Sequence, residues 1–70
     1  MSVTGEYLVS GMHCQHCVSS VTEEVSAVSG VTDVKVDLDS GQLIVTSDAA
    51  IPFKRIEAAV DEAGYSVAMA

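Results

Sequence analysis

The spacing of apolar residues changes period repeatedly along the chain, and each change marks an element. Val3, Gly5, Tyr7 and Val9 alternate with Thr4, Glu6 and Leu8, a period-2 pattern that predicts a strand ending at Ser10-Gly11, with Leu8 breaking the alternation. From Cys14 the period lengthens. Cys14, Cys17, Val21, Val25 and Val28 recur at three- and four-residue spacing, while Ser20, Glu23, Glu24 and Ala27 fall on other faces. An amphipathic helix is expected there. It is expected to stop at Gly30, because glycine takes the left-handed conformation beyond a helix end without a Cβ clash. On this pattern the helical face that begins with the cysteines continues as core. Val34, Val36 and Leu38 then alternate with Asp33, Lys35, Asp37 and Asp39, which predicts a strand with one face in water. Asp39-Ser40-Gly41 supplies turn chemistry, and Gln42 to Thr46 reads as the return strand of a hairpin. Pro52 suits a helix start, and Phe53, Ile56, Val60 and Ala63 form one apolar stripe up to Gly64. Tyr65 to Met69 closes as a final edge strand.

The order is βαββαβ, in which each β-α-β half needs a right-handed crossover and the hairpin joins the halves. This is an α+β arrangement, the ferredoxin-like open-faced sandwich. Each helix has a single apolar stripe to bury, so both must pack on one face of a four-stranded antiparallel sheet. Val21, Val25, Val28, Phe53, Ile56 and Val60 are the expected core. No repeat, linker or low-complexity segment interrupts the pattern, and residues 1–70 read as a single domain.

Composition narrows the function. A chain of 70 residues buries only about 60–65% of the surface it exposes when unfolded, which leaves little for an enclosed substrate cavity; a catalyst is not expected. Three Lys and Arg against ten Asp and Glu give a formal charge of −7. So few cations cannot release the counterions that drive nucleic-acid association, so nucleic acid and anionic lipid are poor partners. The longest apolar run, Val67 to Ala70, falls far short of the roughly 20 residues of a membrane span. No basic start followed by an apolar stretch opens the chain, so the cytoplasm is the expected compartment. There thiols stay reduced, and two cysteines read as a metal or redox site before they read as a crosslink.

The chemistry converges on Gly11-Met12-His13-Cys14-Gln15-His16-Cys17, at the junction of the first strand and the first helix. Cysteines at i and i+3, the first at a helix start, can turn both sulfurs toward one point. The unpaired N–H groups and dipole of that helix end favour thiolate over thiol. Paired anionic sulfurs favour soft ions, Cu(I) first and then Zn(II). Two thiolates are too few for a closed tetrahedral zinc site, whereas an open, low-coordinate pair suits Cu(I) and leaves room for an incoming third sulfur. His16 is a candidate auxiliary metal contact near neutral pH, and His13 is expected to face solvent. A thiol oxidoreductase is the rival from another class; it is disfavoured by the short chain, the lack of Trp and a sole Pro that opens a helix. The acidic helix surface of Glu23, Glu24, Asp61 and Glu62 is either simply solvated or steers a basic partner.

The Gly-Met-x-Cys-x-x-Cys loop, the Gly30-Val31 step before an alternating valine strand, and Ala63-Gly64-Tyr65 near the C-terminus resemble the heavy-metal-associated domain family over nearly the whole chain. In its length and its start at Met1 the sequence is similar to the family's free-standing bacterial copper chaperones. The resemblance implies that Cys14 and Cys17 ligate Cu(I), which is delivered by thiol exchange to the metal-binding domain of a copper-transporting P-type ATPase. It also implies that Met12 turns into the core to support the loop, and that Tyr65 stands beside the site. The same fold serves as the N-terminal metal-binding domain of heavy-metal P-type ATPases for copper or zinc, which is the alternative reading. A two-coordinate ion with an exposed face can also recruit a second molecule's thiolate, so a chain that is monomeric without metal is able to form a copper-bridged homodimer.

Overall fold

The computed structural model describes residues 2–69; Met1 and Ala70, the ends of the expected 1–70 domain, lie outside the described residues. Six elements follow in the expected order: β1 (Val3–Ser10), α1 (Gln15–Ser26), β2 (Val31–Val36), β3 (Gln42–Ser47), α2 (Phe53–Glu62) and β4 (Ser66–Met69). The strands form one antiparallel sheet in the order β2-β3-β1-β4. The expected ferredoxin-like architecture is present, with β4 at an edge.

Alternation along the strands sets the two faces of the sheet. Tyr7 and Val9 of β1 and Leu43 and Val45 of β3 point at the helices and are buried. Leu8, the residue that broke the β1 pattern, stands on the open face and is 44% exposed. Val21, Val25, Leu43, Ile56 and Val60 are completely inaccessible and form the centre of the core. Ala59 of α2 joins that cluster, while Val28 and Phe53, expected as core, are half-buried at its margin. Tyr7 and Phe53 meet with ring centroids 6.0 Å apart, where the start of α2 crosses β1.

The larger differences from the periodic reading lie in α1 and β2, while β3 and β4 each shift by one residue at one end. The core stripe of α1 starts at Val18, which is buried, and not at the cysteines, since Cys14 is exposed and Cys17 only half-buried. The helix also ends at Ser26 with Ala27 as its C-cap, short of the expected Gly30. That glycine, at φ +94°, instead turns the chain into β2. Finally, β2 starts at Val31, where a bulge at Thr32 shifts the register, and stops at Val36. The Asp37 carboxylate accepts the Asp39 N–H at 3.1 Å, and the Asp37 carbonyl accepts the Gly41 N–H at 2.8 Å. These bonds close the turn one residue before Leu38, which the alternation had placed in the strand.

Gly41 joins this hairpin to the strand that leads into the cysteine loop. It sits at φ +75°, its carbonyl accepts the Val9 N–H at 2.8 Å, and a Cβ there would lie 2.6 Å from the Val9 carbonyl oxygen. Gly41→Ala is therefore expected to cost about 1–3 kcal/mol of stability, read as a lower urea midpoint. Gly64→Ala, also at positive φ but with nothing within 4 Å of its added Cβ, should cost less. Equal losses would show that backbone strain alone accounts for both.

Candidate metal centre

β1 delivers the chain to Gly11, whose φ of +96° turns it away from the sheet. A Cβ at Gly11 would sit 3.3 Å from Cδ1 of Tyr65, so the loop runs against the tyrosine ring. Met12 is half-buried and packs against the core, which holds the loop down on the sandwich. Cys14 is the N-cap of α1 in an extended conformation (φ −154°, ψ 173°). Its carbonyl accepts the N–H of Cys17 at 3.0 Å and that of Val18 at 3.4 Å. This first turn brings Cys14 Sγ and Cys17 Sγ to 3.6 Å from each other. Both thiols are free.

The electrostatics favour a thiolate at Cys17. Its acidity rises from an ordinary pKa of 9.0 to about 6. The backbone N–H of His13 donating to the sulfur is the largest cause, followed by the Tyr65 hydroxyl and the Cys14 backbone, with partial desolvation opposing them. Tyr65 moves the other way: giving its proton as a hydrogen bond to Cys17, and standing near two sulfurs, pushes its own pKa up. At neutral pH the pair thus carries negative charge beside a neutral phenol.

The expected site residues are placed unequally. Cys14, Cys17 and Tyr65 converge, the last as hydrogen-bond donor to Cys17, while Met12 packs against the core. His13 and His16 are exposed, and among the described residues no third His, Cys, Asp or Glu gathers with others into a metal-holding group. His13 acts through its backbone amide, a contribution that side-chain chemistry could not reveal. The fold leaves two sulfurs side by side, one exposed and one half-buried.

A pH series of alkylation tests this account. With Cys14→Ser leaving a single thiol, the iodoacetamide rate at Cys17 should follow a thiolate fraction with a midpoint near 6, and Tyr65→Phe should move that midpoint upward. A midpoint near that of a free thiol in the starting variant would refute it. Stability has a matching sign. The folded pKa lies below the unfolded one, so the contribution of Cys17 is complete above pH 9 and is lost as the pH falls toward 6.

The heavy-metal-associated domain profile matches residues 6–66. The chain belongs to the heavy-metal-associated domain family. Within it, the chain is 43% identical over 61 residues to the copper chaperone CopZ of Bacillus subtilis (strain 168), covering 86% of this chain and 88% of that one. The solved CopZ metallochaperone superposes with a TM-score of 0.87 at 31% identity, over 94% of this chain and 100% of its own. A copper-binding domain from HMA7, a P-type ATPase, superposes with a TM-score of 0.89 at 25% identity, over 100% and 95%. The likeness thus extends both to carriers and to a transporter domain of the family. Among the described residues no helix is long and apolar enough to cross a membrane.

Proposed function

We propose that this heavy-metal-associated domain is a cytoplasmic Cu(I) carrier, one domain over residues 1–70, in which Cys14 and Cys17 hold the ion. The observation that carries the reading is the open sulfur pair, 3.6 Å apart, with one member poised as thiolate near pH 6 and no third ligating group beside it among the described residues. Cu(I) accepts two thiolates, whereas Zn(II) wants four ligands and would have to complete its shell from outside the chain. The similarity to copper chaperones of the same size supports the same choice.

Delivery follows from the open side. A thiolate of the recipient forms a sulfur–copper bond while the ion is still held, giving a three-sulfur intermediate. One of Cys14 or Cys17 then lets go, and repetition moves the ion across. No electron moves, no substrate bond is made or broken by the chain, and the chain is a carrier without catalytic activity. The recipient is the metal-binding domain of a copper-transporting P-type ATPase. Without metal the chain is monomeric; at high concentration a second copy supplies the incoming thiolate and a copper-bridged dimer results. Met12 and Tyr65 act on the loop and the sulfurs and not on the ion. His16, exposed in the first turn of α1, is a candidate auxiliary contact outside the sulfur pair.

Anaerobic titration with Cu(I) and, separately, Zn(II), each against a calibrated competing chelator, tests this reading. One equivalent of Cu(I) held much more tightly than Zn(II) is expected, and tight Zn(II) with unexceptional Cu(I) would overturn it. The second reading, a metal-binding domain belonging to a P-type ATPase, is favoured by the likeness to the HMA7 domain. A reading frame that runs on into membrane-spanning segments would select it.

A further inference from the structure

We infer that the groove between α2 and the free edge of β4 is a docking site for an extended, basic segment of a partner protein, which adds to the sheet as a fifth strand. Three observations carry it. The first is the backbone. Among the described residues, β4 closes the sheet and pairs with β1 alone. The Val9 N–H donates toward β3, to the Gly41 carbonyl, so Leu8 and Ser10 turn their backbone groups toward β4. Ala68 and Ser66, their partners in the register, face back to β1. The N–H groups of Val67 and Met69 are therefore aimed outward at the edge, as is the Val67 carbonyl.

The second observation is that this edge lacks the protection the other one has. At the far side of the sheet, β2 carries a bulge at Thr32 and the exposed charges Asp33 and Lys35, features that discourage an added strand. β4 reads Ser-Val-Ala-Met, with no charge, bulge or proline, and Met69 is 69% exposed.

The third is the wall above it. A cleft of about 500 Å³ runs between Ser66-Val67 and α2, and it is bordered by Lys54, Glu57, Asp61 and Tyr65. Glu57 and Asp61 are one helical step apart on the same face, about 6 Å along the axis. Alternate residues of an extended segment repeat every 6–7 Å or so, so two basic side chains at i and i+2 match the two carboxylates. In such augmentation the main chain supplies affinity and alternate side chains supply selection. A second copy of this chain is a poor occupant, since it would bring another α2 with Glu57 and Asp61 and another net charge of −7 against the first. The groove begins at Tyr65, so a segment seated there lies beside the thiol pair. Binding nevertheless does not depend on the metal reading and is tested without metal.

The reduced, metal-free chain, labelled with 15N, is titrated with a blocked peptide of alternating lysine and valine, with alternating glutamate and valine as control. The expected result is amide shifts confined to residues 65–69 and to α2, with slowed hydrogen exchange at Val67 and Met69. Glu57→Lys/Asp61→Lys, changes on an exposed helix face, should weaken binding at least about tenfold. Val67→Pro removes an outward donor without breaking a β1–β4 hydrogen bond and should abolish the exchange protection while the remaining spectrum confirms the fold. Equal binding of the acidic peptide, shifts centred on α1, or binding unchanged in the charge variant would overturn the proposal. So would β4 shifts that depend on protein concentration without peptide, which would assign the edge to self-pairing.

Discussion

Replacing Cys14 and Cys17 together by Ser is expected to abolish Cu(I) binding in chelator competition, and Cys17→Ser alone to lower affinity by several orders of magnitude. The single change removes the sulfur that the His13 backbone N–H and the Tyr65 hydroxyl hold as thiolate. It leaves one exposed sulfur at Cys14, and a hydroxyl is a hard, protonated ligand for a soft ion. The folded state should survive, because neither cysteine belongs to the buried cluster and the Cys17 N–H still reaches the Cys14 carbonyl. An unchanged far-UV spectrum with lost binding is the expected pair of results. Retained affinity in Cys17→Ser would place the ion elsewhere, and loss of fold would make the cysteines structural. Because the folded chain keeps Cys17 deprotonated down to about pH 6, protons should compete with the ion for that sulfur only below that value.

The second large effect lies in the core. Leu43 is 0% exposed in β3, pairs with Tyr7 on one side and Val36 on the other, and faces both helices. Leu43→Ala is expected to cost about 2–5 kcal/mol from lost transfer energy and the cavity left behind. A chain of 70 residues has only about 4–10 kcal/mol to lose, so urea unfolding should begin at much lower concentration, with part of the population unfolded in buffer. Leu8→Ala is the control. Leu8 is 44% exposed on the open face, and its removal should fall within about 0.5 kcal/mol. Equal losses at the two positions would mean that the helices do not pack on the face assigned to them. Bound ion should restore part of what Leu43→Ala loses, about 4 kcal/mol at a thousandfold excess over its dissociation constant. Adding the two Cys→Ser changes should remove that rescue.

How far the fold was legible depends on whether a pattern is local. The helical stripe of α1 was readable as a period, but its start was not. Cys14, Cys17 and Val18 all fit three- and four-residue spacing, yet the folded chain buries Val18 and leaves Cys14 exposed. Leu38 fits the alternation of β2 and yet sits in the turn, because the Asp37 carboxylate satisfies the N–H of Asp39 and the Asp37 carbonyl that of Gly41, and local bonds such as the first compete with ladder pairing. In the candidate site, spacing was enough to put two sulfurs on one turn. The part played by His13 was beyond reach, since it comes from a peptide N–H that every residue but proline possesses.

Sequence alone determined the class of this protein. Period changes, turn residues and the Gly-Met-x-Cys-x-x-Cys loop are short-range features, and backbone sterics and hydrogen bonding convert them into elements whatever their surroundings. The acidic balance and short length, being sums over the chain, set the expectations about partners in the same way. Tertiary structure alone decided which atoms face which. It brought Tyr65, 48 residues after Cys17 in the chain, against that sulfur, set the two thiols 3.6 Å apart, and left the β4 edge open under α2. The physical reason is that these are contacts between distant segments, fixed by how two helices share one sheet face, and no local preference encodes the distance between residues that meet only when the core closes.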